Sequence, residues 1–341
     1  MARSSGRVTM QDVAKLAGVT ARTVSNVVND YPFVKEETRK RVWAAVDELG
    51  YTMNVSARGL KQGNTGLIAL AIPDLTMPYF ADLSDAVIAQ AQKRGLSVLI
   101  EPTASNRQRE KEALNRVRGS FGDGIIYCPL EIDPEELKRI DVGTPMVVLS
   151  EPEGNPRYDH VMIRNREAAE AATAHLISGG SRRIVALGLG AGQAKGPALQ
   201  RLLGYRDALA RYEITPDPRL EVSTHAWHRS DGVAAIDQLF DSDVAFDGVF
   251  AFTDQLASGA LHSLQMHGMR IPQDVAVVGF DNNDESKYLV PSLTTIDPGI
   301  DEIADRAIEI LSDRIAHTAP NERIVTQVDF RLVQRNSSRS A

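Results

Sequence analysis

Polar side chains between Thr20 and Asn26 could read the edges of DNA bases. Arg22, Ser25 and Asn26 are spaced three and four residues apart, so they share one face if this stretch is a helix. Arginine can donate two hydrogen bonds to guanine, asparagine can pair with adenine, and serine can bond to either kind of base in a major groove. A short helix with this face could therefore recognise a specific DNA sequence.

Two short helices and a tight turn would position these side chains. Thr9 and Asp12 predict a capping box at the start of the first helix, and Gly18 supplies the left-handed residue that ends it. Thr20 would cap the second helix, whose valines repeat at helical spacing. A third amphipathic segment over residues 36–49 completes a helix-turn-helix headpiece of three helices. The alternative is an ordinary helical pair inside a larger core.

The run from Asp12 to Asn29 resembles the headpiece of the lactose/galactose repressor family. It reads Asp-Val-Ala-x-x-Ala-Gly-Val-Thr-x-x-Thr-Val-Ser-Asn-Val-Val-Asn, and the resemblance continues through most of the chain. It implies a transcriptional regulator, a repressor, whose headpiece over residues 8–53 binds double-stranded DNA. One short reading helix is too little for a unique genomic site, so we expect a homodimer or a tetramer on a pseudo-palindromic operator. The residues expected to contact DNA are Thr9, Thr20, Ala21, Arg22, Thr23, Ser25, Asn26 and Asn29 in the headpiece and Asn54, Ala57, Arg58 and Leu60 beyond it.

A linker over residues 54–65 should separate the headpiece from the body. Its first part, up to Leu60, is too short to be a stable free helix, and Gly59 weakens it further. A plain linker is one interpretation. The resemblance instead implies a hinge helix that orders on DNA and inserts Leu60 into the minor groove as an apolar wedge.

The charge of the chain is unevenly distributed. Its 341 residues carry a formal charge of −7, yet residues 1–62 hold ten Lys or Arg against six Asp or Glu. A small basic head on a larger acidic body suits a polyanion that touches only the head. The single Cys128 excludes a disulfide within the chain and indicates a reducing compartment, and no apolar run reaches 18 residues. We therefore expect a cytoplasmic bacterial protein that binds DNA and no membrane.

From Gly66 onward, strands alternate with helices, which favours an α/β body of two doubly wound lobes that face a cleft. This body resembles the periplasmic sugar-binding protein fold, which implies that the chain crosses between lobes near residues 163, 292 and 323. We therefore expect an N-terminal lobe over residues 66–163 and 293–322, and a C-terminal lobe over residues 164–292 and 323–336.

Arg201 and Asp281 are the strongest candidates for binding a small molecule in that cleft. Each could alone be a surface charge. Both match positions that bind effector in the family, and an arginine that faces an aspartate can bracket adjacent sugar hydroxyls. Trp227 could stack on a sugar face or could be a core residue. The residues expected to bind a sugar or related effector are Tyr79, Phe80, Ser150, Arg201, Trp227, Thr253, Asp254 and Asp281.

Three departures from the family pattern leave the identity of the ligand open. Met77-Pro-Tyr-Phe80 replaces the commoner Asn-Pro-Phe-Phe. Thr253 precedes Asp254 where many relatives have asparagine, and Ser150 and Glu151 stand where others place an aspartate. The ligand therefore cannot be taken from a characterised relative.

Catalysis and metal binding are the competing interpretations. The glycines from Gly188 to Gly192 follow a predicted strand like a dinucleotide fingerprint, but Gln193 occupies the position of the third glycine. His225 and His228 could share a metal only on a helix, and no cluster of Cys or carboxylates lies near them in sequence. We expect no enzyme activity, no cofactor and no metal. The alternative function is a cytoplasmic sugar-binding or sugar-modifying protein with an appended DNA-binding head, which would not need the hinge.

Overall fold

The computed structural model describes residues 8–28, 31–51, 65–117, 122–152, 157–190 and 196–340. The chain divides into two compact units, a headpiece up to Thr65 and a body from Gly66 onward. Five residues that we expect at the DNA, and most of the hinge, lie outside the described residues. These five are Asn29, Asn54, Ala57, Arg58 and Leu60.

The described residues of the headpiece form three helices, α1 (Met10–Ala17), α2 (Ala21–Val28) and α3 (Glu36–Leu49). The capping box predicted at the start of α1 is confirmed, because Thr9 and Asp12 exchange hydrogen bonds. Gly18 has a φ of 64°, a left-handed conformation that ends α1 and lets the chain turn into α2. The valines of α2 pack against alanines and valines of the other two helices in a small core.

The body alternates strands and helices, as the sequence predicts. Apolar strand residues bounded by turns form the sheets, and amphipathic helices cover both faces. In chain order its elements are β1 (Leu67–Ile72), α4 (Pro78–Lys93), β2 (Ser97–Pro102), α5 (Arg107–Arg116), β3 (Gly124–Tyr127), α6 (Pro134–Leu137), β4 (Met146–Val148), β5 (Asp159–Ile163), α7 (Asn165–Ser178), β6 (Ile184–Leu189), α8 (Gly196–Arg211), β7 (Glu221–Ser223), α9 (Arg229–Asp241), β8 (Gly248–Ala251), α10 (Asp254–Met266), β9 (Ala276–Phe280), β10 (Thr294–Asp297), α11 (Ile300–Ile315), β11 (Val325–Val328) and β12 (Arg331–Val333).

In the described part of the body, two sheets of six strands form the two lobes. The first has the order β11-β5-β4-β3-β1-β2, and all its strands are parallel. The second has the order β12-β10-β9-β8-β6-β7, and β12 alone runs antiparallel to its neighbour. The carboxyl ends of the parallel strands gather the loops at one edge of each sheet, which is where ligands bind in such folds.

The chain crosses between the lobes three times, and two crossings lie further along the chain than expected. β5 and α7 flank the first crossing near residue 163. The second and third, expected near residues 292 and 323, were misplaced, because β10 pairs with β9 in the second sheet and β11 pairs with β5 in the first. The expected segments 293–322 and 323–336 were therefore wrong at these two strands. A short apolar run predicts a strand but does not show which sheet it joins.

Candidate functional site

The second helix of the headpiece presents a polar surface. Thr20 caps α2 by accepting a hydrogen bond from the backbone N–H of Thr23 at 3.1 Å, and the two hydroxyl oxygens lie 2.9 Å apart. Arg22 is exposed at the first turn, while the side chain of Asn26 is half-buried one turn later. Because the valine side of α2 is buried in the headpiece, the Arg22 side is the one that can enter a major groove.

Arg201 is a buried cation on α8, with 4% of its surface exposed. Its Nε donates to Asn165 Oδ1 at 2.9 Å, and its Nη1 donates to the carbonyl oxygen of Phe252. Its guanidinium carbon lies 3.5 Å from the centroid of the Phe280 ring and 5.5 Å from that of Trp227. Ring stacking and these hydrogen bonds hold the guanidinium in one orientation.

Asp281 follows β9 directly and is 4% exposed. Its φ of 118° lies in the left-handed region, so the surrounding structure holds it in a strained conformation. Among the described residues no hydrogen-bond partner reaches its buried Oδ2. Burial raises the pKa of this carboxyl well above its ordinary value, while the Arg201 guanidinium and the backbone N–H of Asp254 act in the opposite direction. A ligand that supplied a donor to Oδ2 would relieve the cost of this unsatisfied oxygen.

The first lobe contributes Tyr79 and Phe80 from the start of α4. Their rings pack edge to face with centroids 5.1 Å apart. Burial raises the pKa of the Tyr79 hydroxyl, nearby negative charge raises it further, that of Asp281 included, and the Arg201 guanidinium lowers it. Tyr79 of the first lobe is therefore within electrostatic range of Arg201 and Asp281 of the second lobe. Their joint contact with an effector stays a prediction.

Asp254 has a structural role that the sequence did not reveal. Its Oδ1 accepts a hydrogen bond from Thr295 Oγ1 at 2.5 Å, and its Oδ2 accepts from the backbone N–H of Asn283 at 2.9 Å and from Ser286 Oγ at 2.6 Å. Burial raises the pKa of Asp254 to about 7, although these donors lower it. The preceding Thr253 caps α10 through its hydroxyl. Both residues therefore use their polar atoms within the second lobe, and their contact with an effector stays a prediction.

Ser150 and Trp227 are half-buried. The Ser150 carbonyl oxygen lies 2.9 Å from Nδ1 of His160, and Ser150 lines a cavity of about 30 Å³ in the first lobe, which has room for a water molecule. Trp227 packs against the core of the second lobe, and its Nε1 donates to the carbonyl oxygen of Gly188 at 2.8 Å. The indole therefore fills the core and flanks Arg201 at the same time.

Sequence reasoning missed the roles of Glu151, Asn165 and Phe280. Asn165 is 4% exposed, and its Nδ2 donates to Glu151 Oε1 at 2.7 Å while its Oδ1 accepts from Arg201. Phe280 supplies the ring on which the guanidinium stacks. The sequence did offer a signal for Phe280, because it directly precedes Asp281, which the family resemblance identifies. The sequence offered no such signal for Asn165, because it is a single asparagine at the start of a helix.

The described ranges of the chain contain no group of three or more His, Cys, Asp or Glu side chains that could hold a metal ion. His228 Nε2 instead lies 3.9 Å from Oδ2 of Asp74, which belongs to the first lobe. No helix in those ranges is long and apolar enough to cross a membrane.

Two family models match the chain. A model described as bacterial regulatory proteins, lacI family, matches residues 9–54, which span the headpiece. A model described as a periplasmic binding protein-like domain matches residues 173–338. The two matches cover the parts of the chain where the helix-turn-helix and most of the second lobe lie.

Relatives and solved structures resemble nearly the whole chain. The HTH-type transcriptional repressor PurR of Aliivibrio salmonicida is 32% identical over 334 residues, which cover 96% of this chain and 98% of that protein. A LacI-family transcriptional regulator from Sanguibacter keddieii is 42% identical, with a TM-score of 0.74, over 80% of this chain and 98% of that one. The complex of the regulator CelR with cellobiose is 29% identical, with a TM-score of 0.73, over 97% of this chain and 100% of that one.

The headpiece, the two parallel-sheet lobes and these similarities point to one conclusion. The helix-turn-helix supplies the DNA-binding function, and the lobed body supplies the effector-binding domain of such regulators. The chain belongs to the LacI family of bacterial regulatory proteins and is a DNA-binding transcriptional regulator.

Proposed function

We propose that this chain is a repressor whose affinity for its operator is controlled by a saccharide bound between the two lobes. The proposal that a saccharide binds there rests on the buried Asp281 Oδ2, which has no hydrogen-bond partner among the described residues. Arg201 and Tyr79 lie within electrostatic range of this carboxyl group, and the three residues form the cluster of the proposed site. The complex of CelR with cellobiose supports a saccharide as the ligand class.

The residues of this cluster suit hydroxyl groups. A sugar hydroxyl can donate to Asp281 Oδ2 and accept from the Arg201 guanidinium, and an aromatic face such as that of Tyr79 can cover the apolar side of a sugar ring. Trp227, Phe80 and the other predicted residues would complete the site. Because the ligand would touch both lobes, binding should change the angle between them and therefore the ability of the hinge to order on DNA.

We propose that the regulator acts as a homodimer on a pseudo-palindromic operator. Among the described residues of the second lobe, the most exposed large apolar side chains are Met266 at 74%, Tyr288 at 71% and Val290 at 82%. Gln265, next to Met266, donates a hydrogen bond to the carbonyl oxygen of Val290, so the ends of this apolar surface lie close together. A second copy would cover it. Sedimentation of Val290→Glu should show a loss of dimer, and an unchanged dimer would exclude this surface.

Regulation without catalysis completes the proposal. The relatives named above are transcriptional regulators. The cluster in the proposed site offers groups that bind a ligand rather than an activated nucleophile. A repressor acts where its operator is, so we place the protein in the bacterial cytoplasm.

A thermal-shift screen with neutral saccharides tests the effector part. A saccharide that binds only the native state raises the free energy of unfolding by about 2.7 kcal/mol at 100 times its Kd. Asp281→Asn should lose this effect. The control Asp243→Asn changes an exposed carboxylate in the turn before β8, at the opposite edge of the sheet, and should keep it. Stabilisation by no saccharide, or full stabilisation of Asp281→Asn, would contradict the proposal.

A further inference from the structure

We propose that the cleft selects uncharged, hydroxyl-rich ligands and rejects their phosphorylated forms, and that Glu151 sets this preference. The inference rests on the proposed function, because it specifies the chemistry of the saccharide. It depends on two features, a hydrogen-bonded chain that links the lobes and the balance of charge around Arg201.

The chain runs from a carboxylate through an amide to a guanidinium. Glu151, in the loop that follows β4 of the first lobe, accepts a hydrogen bond from Asn165 Nδ2 at 2.7 Å. Asn165, the first residue of α7 in the second lobe, accepts from Arg201 Nε at 2.9 Å. Both ends of the amide are occupied, so its orientation is fixed. Glu151 is thereby held near the guanidinium although the two residues belong to different lobes.

The positive charge of Arg201 is already balanced. Burial lowers the pKa of the guanidinium, and the charges of Asp281 and Glu151 are among the influences that raise it. Each lobe therefore supplies one carboxyl group to the same cation. Glu151 is linked to Arg201 through Asn165, so the described residues of the cluster set two carboxyl groups against one guanidinium.

A phosphate group would also find the backbone site at the start of α10 taken. Anions bind at helix N-termini, where backbone N–H groups point outward. At the N-terminus of α10, the backbone N–H of Asp254 already stabilises the carboxylate of Asp281. A phosphate would have to displace that carboxylate and would then lie beside it in a poorly solvated site, where repulsion between like charges is strong.

A neutral hydroxyl meets neither obstacle. It can donate to the unsatisfied Asp281 Oδ2 or to Glu151, and it can accept from guanidinium N–H groups that Asn165 and Phe252 leave unused. The same carboxylates that repel a phosphate thus become acceptors for a sugar. Glu151 is a specificity-determining residue in this account, because it contributes the negative charge from the first lobe.

Matched pairs of sugars and their phosphates test the inference on the full-length protein by calorimetry. The probes are ribose with ribose 5-phosphate, glucose with glucose 6-phosphate, and trehalose with trehalose 6-phosphate. For a pair that binds, the neutral member should bind at least tenfold more tightly. Glu151→Gln keeps an oxygen that accepts from Asn165 but removes the charge. It should therefore reduce the ratio between the affinities for the neutral and the phosphorylated member at least fivefold. Glu151→Ala removes the same charge and serves if the first variant does not fold.

Glu131→Gln is the control, because it removes an exposed carboxylate from the loop after β3 in the same lobe and should leave the ratio unchanged. A phosphorylated member that binds as tightly as its neutral partner overturns the inference but leaves saccharide control intact. An unchanged ratio in the Glu151 variants overturns the role of that residue. Binding by no member of any pair overturns the saccharide proposal itself and this inference with it.

Discussion

Replacing Asp254 by asparagine should remove a pH dependence of stability that runs opposite to that of most carboxylates. Burial raises the pKa of Asp254 from 3.8 to about 7 in the folded protein. Between these values the unfolded chain releases the proton while the folded chain keeps it, so stability falls as pH rises through about 7. At about 1.36 kcal/mol for each pKa unit, the loss amounts to about 4 kcal/mol.

The geometry indicates that asparagine fits in this position. Its side-chain oxygen can accept from the backbone N–H of Asn283 and from Ser286 Oγ, and its Nδ2 can donate to the Thr295 hydroxyl, which would then act as an acceptor. Asp254→Asn should therefore match the wild type near pH 4 and exceed it by up to about 4 kcal/mol above pH 7.

Urea denaturation of both proteins between pH 4 and 8 measures this difference. Ionisable groups common to both largely cancel, apart from Asp281, whose pKa the Asp254 charge helps to raise. Asp243→Asn, on an exposed turn, serves as the control and should follow the wild type at every pH. A constant difference between wild type and Asp254→Asn across the range would refute the reasoning. Loss of saccharide binding by a stable Asp254→Asn would show instead that Asp254 contacts the effector.

Three further predictions concern the headpiece, the hinge and the first lobe. Arg22→Ala should cost about 1–3 kcal/mol at one base pair of each half-site in competition binding, whereas uniform weakening on all sequences would mean that Arg22 contacts only phosphate. Leu60→Ala should reduce DNA bending in circular-permutation gel shifts and leave salt-dependent nonspecific binding intact, and equal bending would contradict the hinge assignment. Burial raises the pKa of Cys128 to about 12, so native protein should resist alkylation at pH 8, and rapid labelling would show that the thiol is accessible.

Sequence signals that act between neighbouring residues predicted the helices of the headpiece well. The capping box of Thr9 and Asp12, the left-handed Gly18 and the apolar spacing of α3 all act within a few residues, so they can be read from sequence. The crossings between the lobes were harder to predict, because the residues of β10 and β11 alone would suit either sheet. Their partners lie far away along the chain, and only the folded pairing decides between the sheets.

The candidate effector site was also only partly predictable from the sequence. Arg201 and Asp281 were found through the family resemblance, whereas the contacts that orient them involve distant residues with no motif of their own. Asn165 bridges Glu151 and Arg201 only because the first crossing brings the two lobes together. The sequence predicts that Asp254 contacts the effector. An acidic residue at the start of a helix does not reveal the three hydrogen-bond donors that surround Asp254 in the folded protein.

The most direct test of the account is operator affinity with and without the saccharide that most stabilises the protein. Fluorescence anisotropy with an operator fragment selected by the protein should show a change of about 5–150-fold at saturating saccharide, and operator should change saccharide affinity by the same factor. Asp281→Ala should bind operator almost normally and no longer respond. An operator affinity that saturating saccharide leaves unchanged in the wild type would contradict the claim that the cleft controls DNA binding.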